Sequence, residues 1–113
     1  MTRLVTVLAA LSGALAVATG AFAAHSASGQ AAEWLKTGGH YQLIHAVAAL
    51  VAIRMGERIS PWLFVVGGAL FAGTLYLMAF GAPHWLGAVT PLGGAALIAG
   101  WICLAIGAWR RPA

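Results

Sequence analysis

The sequence predicts an all-α protein, an integral membrane four-helix bundle with its N and C termini cytoplasmic. Three observations carry that prediction. Between Leu4 and Trp109 only Glu33, Lys36, Arg54, Glu57 and Arg58 are charged. Of the 113 residues 62% are hydrophobic and 7% charged, whereas a soluble domain carries about a quarter charged residues. The stretches between the charges approach the length of about 20 apolar residues that a helix needs to cross a bilayer. A single membrane domain, 1–113, is expected, with no room for a soluble catalytic module.

The spans are expected at about 4–24, 38–54, 61–80 and 91–109. The first has a competing reading as a signal peptide: Arg3 is a short basic start, an apolar core follows, and Ala21-Phe22-Ala23 fits an A-x-A cleavage site. In favour of retention, Leu4–Ala24 is long enough to span, and Ser12, Ala16, Gly20 and Ala24 form a small-residue stripe suited to close helix packing in lipid. The second run, Gly38 to Ile53, is short and carries His40, Gln42 and His45 in its first half. Tilt and snorkelling of Arg54 accommodate it. The third and fourth runs start at Ser60-Pro61 and Thr90-Pro91. In each, the hydroxyl is expected to cap free N–H groups, and proline at the first helical position removes one N–H that would go unpaired.

Orientation follows from the cations. Four spans put Arg3, Arg54, Arg58, Arg110 and Arg111 on one side and Lys36 alone on the other. The positive-inside rule makes the arginine side cytoplasmic. Trp62 and Trp109 then mark the inner interface, and Trp34, Tyr41 and Trp85 the outer one. Before the second span, Ala31–Lys36 is expected to form a short interfacial helix, with Gly38-Gly39 turning the chain into the membrane.

That topology gathers all four histidines toward the outer side. Tyr41 and His45, four apart, share a helix face, so a phenol–imidazole contact or a shared water is open to them. Intramembrane polar residues usually face protein or water and are functional suspects. The plainer reading is that the histidines are interfacial, with His45 bonded to a backbone carbonyl or to a group on another helix. His40 and His45, five apart, point to different faces and make no obvious metal pair. No metal site, cofactor or catalytic residue is expected. The chain has no Asp, its two Glu fall on opposite sides, and no phosphate-binding glycine loop occurs. The net charge of +4 comes from scattered residues and forms no nucleic-acid patch. Cys103, the single cysteine, has the ordinary role of a small apolar residue. Gly68/Ala72, Ala69/Gly73, Ala96/Gly100 and Ala99/Cys103/Gly107 repeat small residues four apart and are read as packing faces, with a substrate passage as the alternative. Trp101, near mid-membrane, needs a partner for its N–H, and Thr74 or a carbonyl near a glycine is a candidate.

The motifs also carry a resemblance. Gly20-Ala21-Phe22-Ala23-Ala24-His25 resembles the G-A-F-G-A-H signature of the domain of unknown function 423 family, to which eukaryotic transmembrane protein 256 is similar. The likeness continues through Trp34-x-x-Thr37-Gly38-x-x-Tyr41-Gln42-x-x-His45, Phe71-x-Gly73-x-Leu75-Tyr76, Thr90-Pro91-x-Gly93-Gly94 and Gly100-Trp101. It implies a four-span, multi-pass protein of the bacterial inner membrane whose first helix is kept. Ala23 departs from the usual glycine, and Ala72 and Thr74 stand where serines are common. The resemblance brings no activity.

Two functional readings follow. The first is a non-enzymatic packing or accessory membrane protein, with membrane lipids and either a second copy or another membrane protein as partners. The alternative is a small-solute, proton or lipid-binding module with an outer pocket lined by His25, Tyr41, Gln42 and His45. A membrane enzyme or haem protein is the remaining option. Gly20, Gly73, Gly93, Gly94 and Gly100 are the expected helix-packing positions.

Overall fold

The structure, a computed structural model, describes residues 2–112. It contains four long helices, α1 (Thr2–Ser26), α2 (Gly29–Arg54), α3 (Ser60–Ala79) and α4 (Thr90–Arg110), with a short 3-10 helix, His84–Ala88, before α4. Three helical segments, Thr2–Ser26, Ser60–Ala79 and His84–Arg110, are long and apolar enough to cross a bilayer. The fourth helix, α2, is more polar but its 26 residues reach about 39 Å at 1.5 Å each. Its polar side chains Gln42 and His45 are buried against neighbouring helices instead of meeting lipid. The molecule is 49 Å long, close to the roughly 40–45 Å of a bilayer with its headgroups. Consecutive helices run antiparallel, so the start of α1 and the end of α4 lie at the same, arginine-rich end.

The helices pack in chain order. α2 lies between α1 and α3, α1 also touches α3, and α4 rests on the far side of α3. The exposure of α4 follows from that peripheral seat: it buries only Gly93, Leu97 and Gly100. The bundle is therefore open between α2 and α4.

The α1 seam is built from Val5, Ala9, Ala16 and Ala23, all buried, with Ser12 turned to α2. These positions follow a seven-residue repeat, the geometry of slightly left-handed helix pairs in membranes. The stripe read from the sequence is thus rotated: Ala16 belongs to the seam, while Ala24 is exposed. An apolar core of Val5, Ala9, Ala48, Ala49, Ala52, Phe64, Val65 and Leu97 fills the inner half. The polar groups that the bundle buries lie mostly in the outer half.

Two local expectations are corrected. No separate interfacial helix and Gly-Gly turn precede the second span, because α2 runs unbroken from Gly29. The turn is Ala27-Ser28, with Gly29 at φ +62° supplying the left-handed residue. Gly38 and Gly39 serve close approach: a Cβ on Gly38 would lie 2.8 Å from the Tyr76 ring, and one on Gly39 3.3 Å from the Ala16 carbonyl oxygen. The hydroxyl caps are also absent. Neither α3 nor α4 has a side-chain cap bond, although both carry proline in the first turn. Ser60 Oγ is buried without a hydrogen-bond partner, and Thr90 spends its hydroxyl on a contact between helices.

Candidate functional site

Three small hydrogen-bonded groups cross the outer half of the bundle. In the first, Gln42 joins three helices. Its Oε1 accepts from the Tyr76 hydroxyl at 2.6 Å, and its Nε2 donates to Ser12 Oγ at 3.1 Å. In the second, Thr74 donates to the Phe71 carbonyl at 3.0 Å. Thr90 likewise has the Leu86 carbonyl at 3.3 Å, and the two hydroxyl oxygens lie 2.6 Å apart, one donating to the other. This ties α3 to α4.

The third group is centred on His45, which is 6% exposed. Its Nδ1 lies 2.6 Å from the Tyr41 carbonyl oxygen one turn earlier. Its Nε2 lies 3.0 Å from the indole nitrogen of Trp101. A carbonyl can only accept and an indole N–H can only donate. Nδ1 therefore carries the proton and Nε2 is bare, so His45 is held as one neutral tautomer. The rings around it fit together as an aromatic cluster. Tyr41 is parallel to His45 at 6.2 Å, Trp101 meets it edge-on at 5.8 Å, and Phe64 lies against both.

Above this bond, α2 and α4 diverge around a cleft of about 490 Å³, floored by α3. His40, Tyr41 and Ile44 line one wall, Gly94, Ile98 and Trp101 the other, and Phe71 the floor. The volume is in the range of small-molecule sites, about 300–1,000 Å³. The lining is mostly apolar, and the opening faces sideways into the bilayer. His40 and the Tyr41 hydroxyl, both on exposed residues, have no side-chain hydrogen-bond partner among the described residues.

The four residues expected to share one pocket are divided by this geometry. Tyr41 and His45 line the cleft. Gln42, one position on, is turned away from the cleft, its amide bonded to Ser12 on α1 and Tyr76 on α3. His25 is exposed at the end of α1, outside the cleft. The Tyr41–His45 hydrogen bond uses the tyrosine's backbone oxygen, not its phenol. Trp101 finds His45, not Thr74 or a carbonyl. Its mid-membrane position signalled an unmet donor, but no spacing along the chain relates residues 45 and 101.

The glycines divide similarly. Gly93 and Gly100 are at the α3–α4 seam, where a Cβ would come within 2.8 Å of Phe71 Cα and 2.7 Å of the Phe64 ring. Gly94 borders the cleft, with 3.8 Å from its Cβ position to the Phe71 ring. Gly20 and Gly73 are corrections: a side chain at either meets nothing within 4 Å. Gly20 contributes its backbone to the close approach of Gly39, while Gly73 has open space beside it. Gly67, not singled out as a packing position, is closely packed, its Cβ position lying 2.9 Å from Ala96 Cβ.

Comparison with known proteins places this arrangement in a family. Residues 19–94 match the family model described as "Protein of unknown function (DUF423)". A UPF0382 membrane protein of Haemophilus influenzae is 42% identical, with 91% of each chain covered. The UPF0382 inner membrane protein YgdD of Escherichia coli K12 is 40% identical over 96% of this chain and 91% of its own. The UPF0382 membrane protein YwdK of Bacillus subtilis is 35% identical over 90% and 93%. No solved structure matches. With its apolar helices and these relatives, the chain is an integral inner-membrane protein, and it belongs to the family described as protein of unknown function DUF423.

Proposed function

We propose that the chain is a non-enzymatic membrane accessory protein that holds one acyl chain of a phospholipid in the α2–α4 cleft. The observation that carries this reading is the cleft itself, about 490 Å³, apolar, and open to the side in the outer half of the membrane. The polar atoms at its base are already paired: His45 has a partner at each nitrogen, one of them the Trp101 N–H. A polar solute would have to break these bonds, whereas a hydrocarbon chain leaves them intact. A partner helix fits poorly, because close helix approach in lipid wants small residues and these walls carry Ile44, Ile98, Tyr41 and Trp101. A flexible chain can thread between such walls. His40 and the Tyr41 hydroxyl at the rim are free to meet the headgroup of the same lipid.

The test uses Trp101 as the reporter. With Trp34, Trp62, Trp85 and Trp109 replaced by Phe, the protein is placed in phosphatidylcholine vesicles brominated at mid-chain. Bromine is expected to quench Trp101, and Gly94→Leu, which fills the cleft, is expected to reduce that quenching at least twofold. Equal quenching with and without the leucine would refute occupancy of the cleft.

A further inference from the structure

The inner end of the molecule holds a second site of different chemistry. The loop after α2 and the last turns of α4 enclose about 270 Å³ bordered by Glu57, Arg58, Ile59, Ile106, Gly107 and Arg110, with Cys103 beneath. Five arginines, Arg3, Arg54, Arg58, Arg110 and Arg111, share this end with one acid, Glu57. The Glu57 side chain, only 11% exposed, is ion-paired with Arg111. It also lies against α4 at Gly107, where a Cβ would come within 2.7 Å of the carboxyl carbon. Glycine at 107 is what lets the loop lie on the helix. The pair clamps the loop to α4 and uses the single acid of this face.

Arg58 and Arg110 are left without a carboxylate partner among the described residues. Both border the opening and both are exposed. Beside them Ile59 and Ile106 present bare apolar surface, 66% and 46% exposed. Arg58 is also reachable from the α1 side, where it borders a larger opening of about 580 Å³ with Trp62 and Thr2. Trp62 and Trp109 place this level at the cytoplasmic headgroups. Two unneutralised guanidiniums above an apolar patch, at the membrane surface, match a phosphate that carries hydrocarbon.

We infer that this opening binds an anionic phospholipid of the cytoplasmic leaflet. The phosphate lies between Arg58 and Arg110, and the acyl chains run along Ile59 and Ile106. Guanidinium suits this role because its planar fork donates two hydrogen bonds to one phosphate. The site is separate from the α2–α4 cleft in position, leaflet and charge.

The test is native mass spectrometry of detergent-purified protein titrated with phosphatidylglycerol, phosphatidylcholine or inorganic phosphate. The α2–α4 cleft takes an acyl chain of either lipid, so phosphatidylglycerol is expected to be retained in excess of phosphatidylcholine, and that excess reports the inner opening. An arginine near an anionic surface contributes about fivefold, so Arg58→Gln with Arg110→Gln lowers that excess about 25-fold. Arg110→Gln alone, at the exposed end of α4, lowers it about fivefold and serves should the double variant not fold. Arg58→Lys with Arg110→Lys keeps most of the excess. An undiminished excess in the glutamine variants, or equal retention of the two lipids by the parent, would overturn the proposal. Displacement of phosphatidylglycerol by equimolar inorganic phosphate would also overturn it, by showing that the hydrocarbon contributes nothing.

Discussion

Alanine at Gly93 and alanine at Gly73 are the same chemical change in two long membrane helices, and the structure separates their effects. A Cβ at Gly93 would lie 2.8 Å from Phe71 Cα and 2.9 Å from the Gly67 carbonyl oxygen. Both are backbone atoms that no rotamer change can move. Restoring ordinary contact at about 3.5–4.0 Å means shifting α4 outward by about 1 Å. Overpacking of this kind costs about 1–3 kcal/mol. The shift also stretches the two bonds that tie α4 inward, Trp101 to His45 at 3.0 Å and Thr90 to Thr74 at 2.6 Å. Intramembrane bonds of this type average about 0.6 kcal/mol each. Against these losses stands the higher helix propensity of alanine, about 1 kcal/mol at most. Gly93→Ala is therefore expected to destabilise by about 1–3 kcal/mol. At Gly73 nothing lies within 4 Å of the added methyl, so only the propensity gain of up to about 1 kcal/mol remains. Reversible unfolding in mixed micelles, titrated with dodecyl sulfate and followed by circular dichroism, measures both. Equal effects of the two alanines, or a Gly93→Ala protein as stable as the parent, would refute the assigned α3–α4 seam.

Three further outcomes are expected. Nitrogen-15 NMR of histidine-labelled protein at neutral pH should show His45 as the neutral Nδ1-protonated tautomer, and Trp101→Phe should remove the hydrogen-bond shift at Nε2. Tyr76→Phe strips one bond from Gln42 Oε1 and should cost about 0.6 kcal/mol, up to about 1.7, in the same unfolding assay. Adding Gln42→Leu to Tyr76→Phe should cost less than the sum of the single changes, because the two residues share that bond. Ser60→Ala removes a buried hydroxyl with no partner and should stabilise the protein by about 1 kcal/mol, where loss of a real cap would destabilise it by a similar amount.

The helices were legible because their signals are local. Pro61 and Pro91 mark the starts of α3 and α4, and the Arg54–Arg58 cluster marks the end of α2. The start of α2 was misplaced because glycine has two uses, turning a chain and letting another chain approach. Gly38 and Gly39 serve the second, which depends on Tyr76 and Ala16 and leaves no mark in the surrounding residues. The candidate site was half legible. Tyr41 and His45 share a helix face at four-residue spacing, so their pairing follows from α2 alone. Gln42 was grouped with them although its own position on the helix sends it toward α1 and α3.

By itself, the sequence determined the solvent and the helices, and it predicts the side of the membrane on which the chain ends lie. Each depends on hydrocarbon length or on the order of charges along the chain. Tertiary structure alone decided which small residues are seams, which partner Trp101 meets, and that the bundle opens between α2 and α4. The physical reason lies in the small residues. They recur four apart on α1, α3 and α4, so the sequence offers more packing faces than the fold can use. Which faces are used depends on helix rotations and on backbone approaches differing by a few tenths of an ångström. Gly93 and Gly73 have the same residue type and opposite surroundings, and only the packed bundle tells them apart.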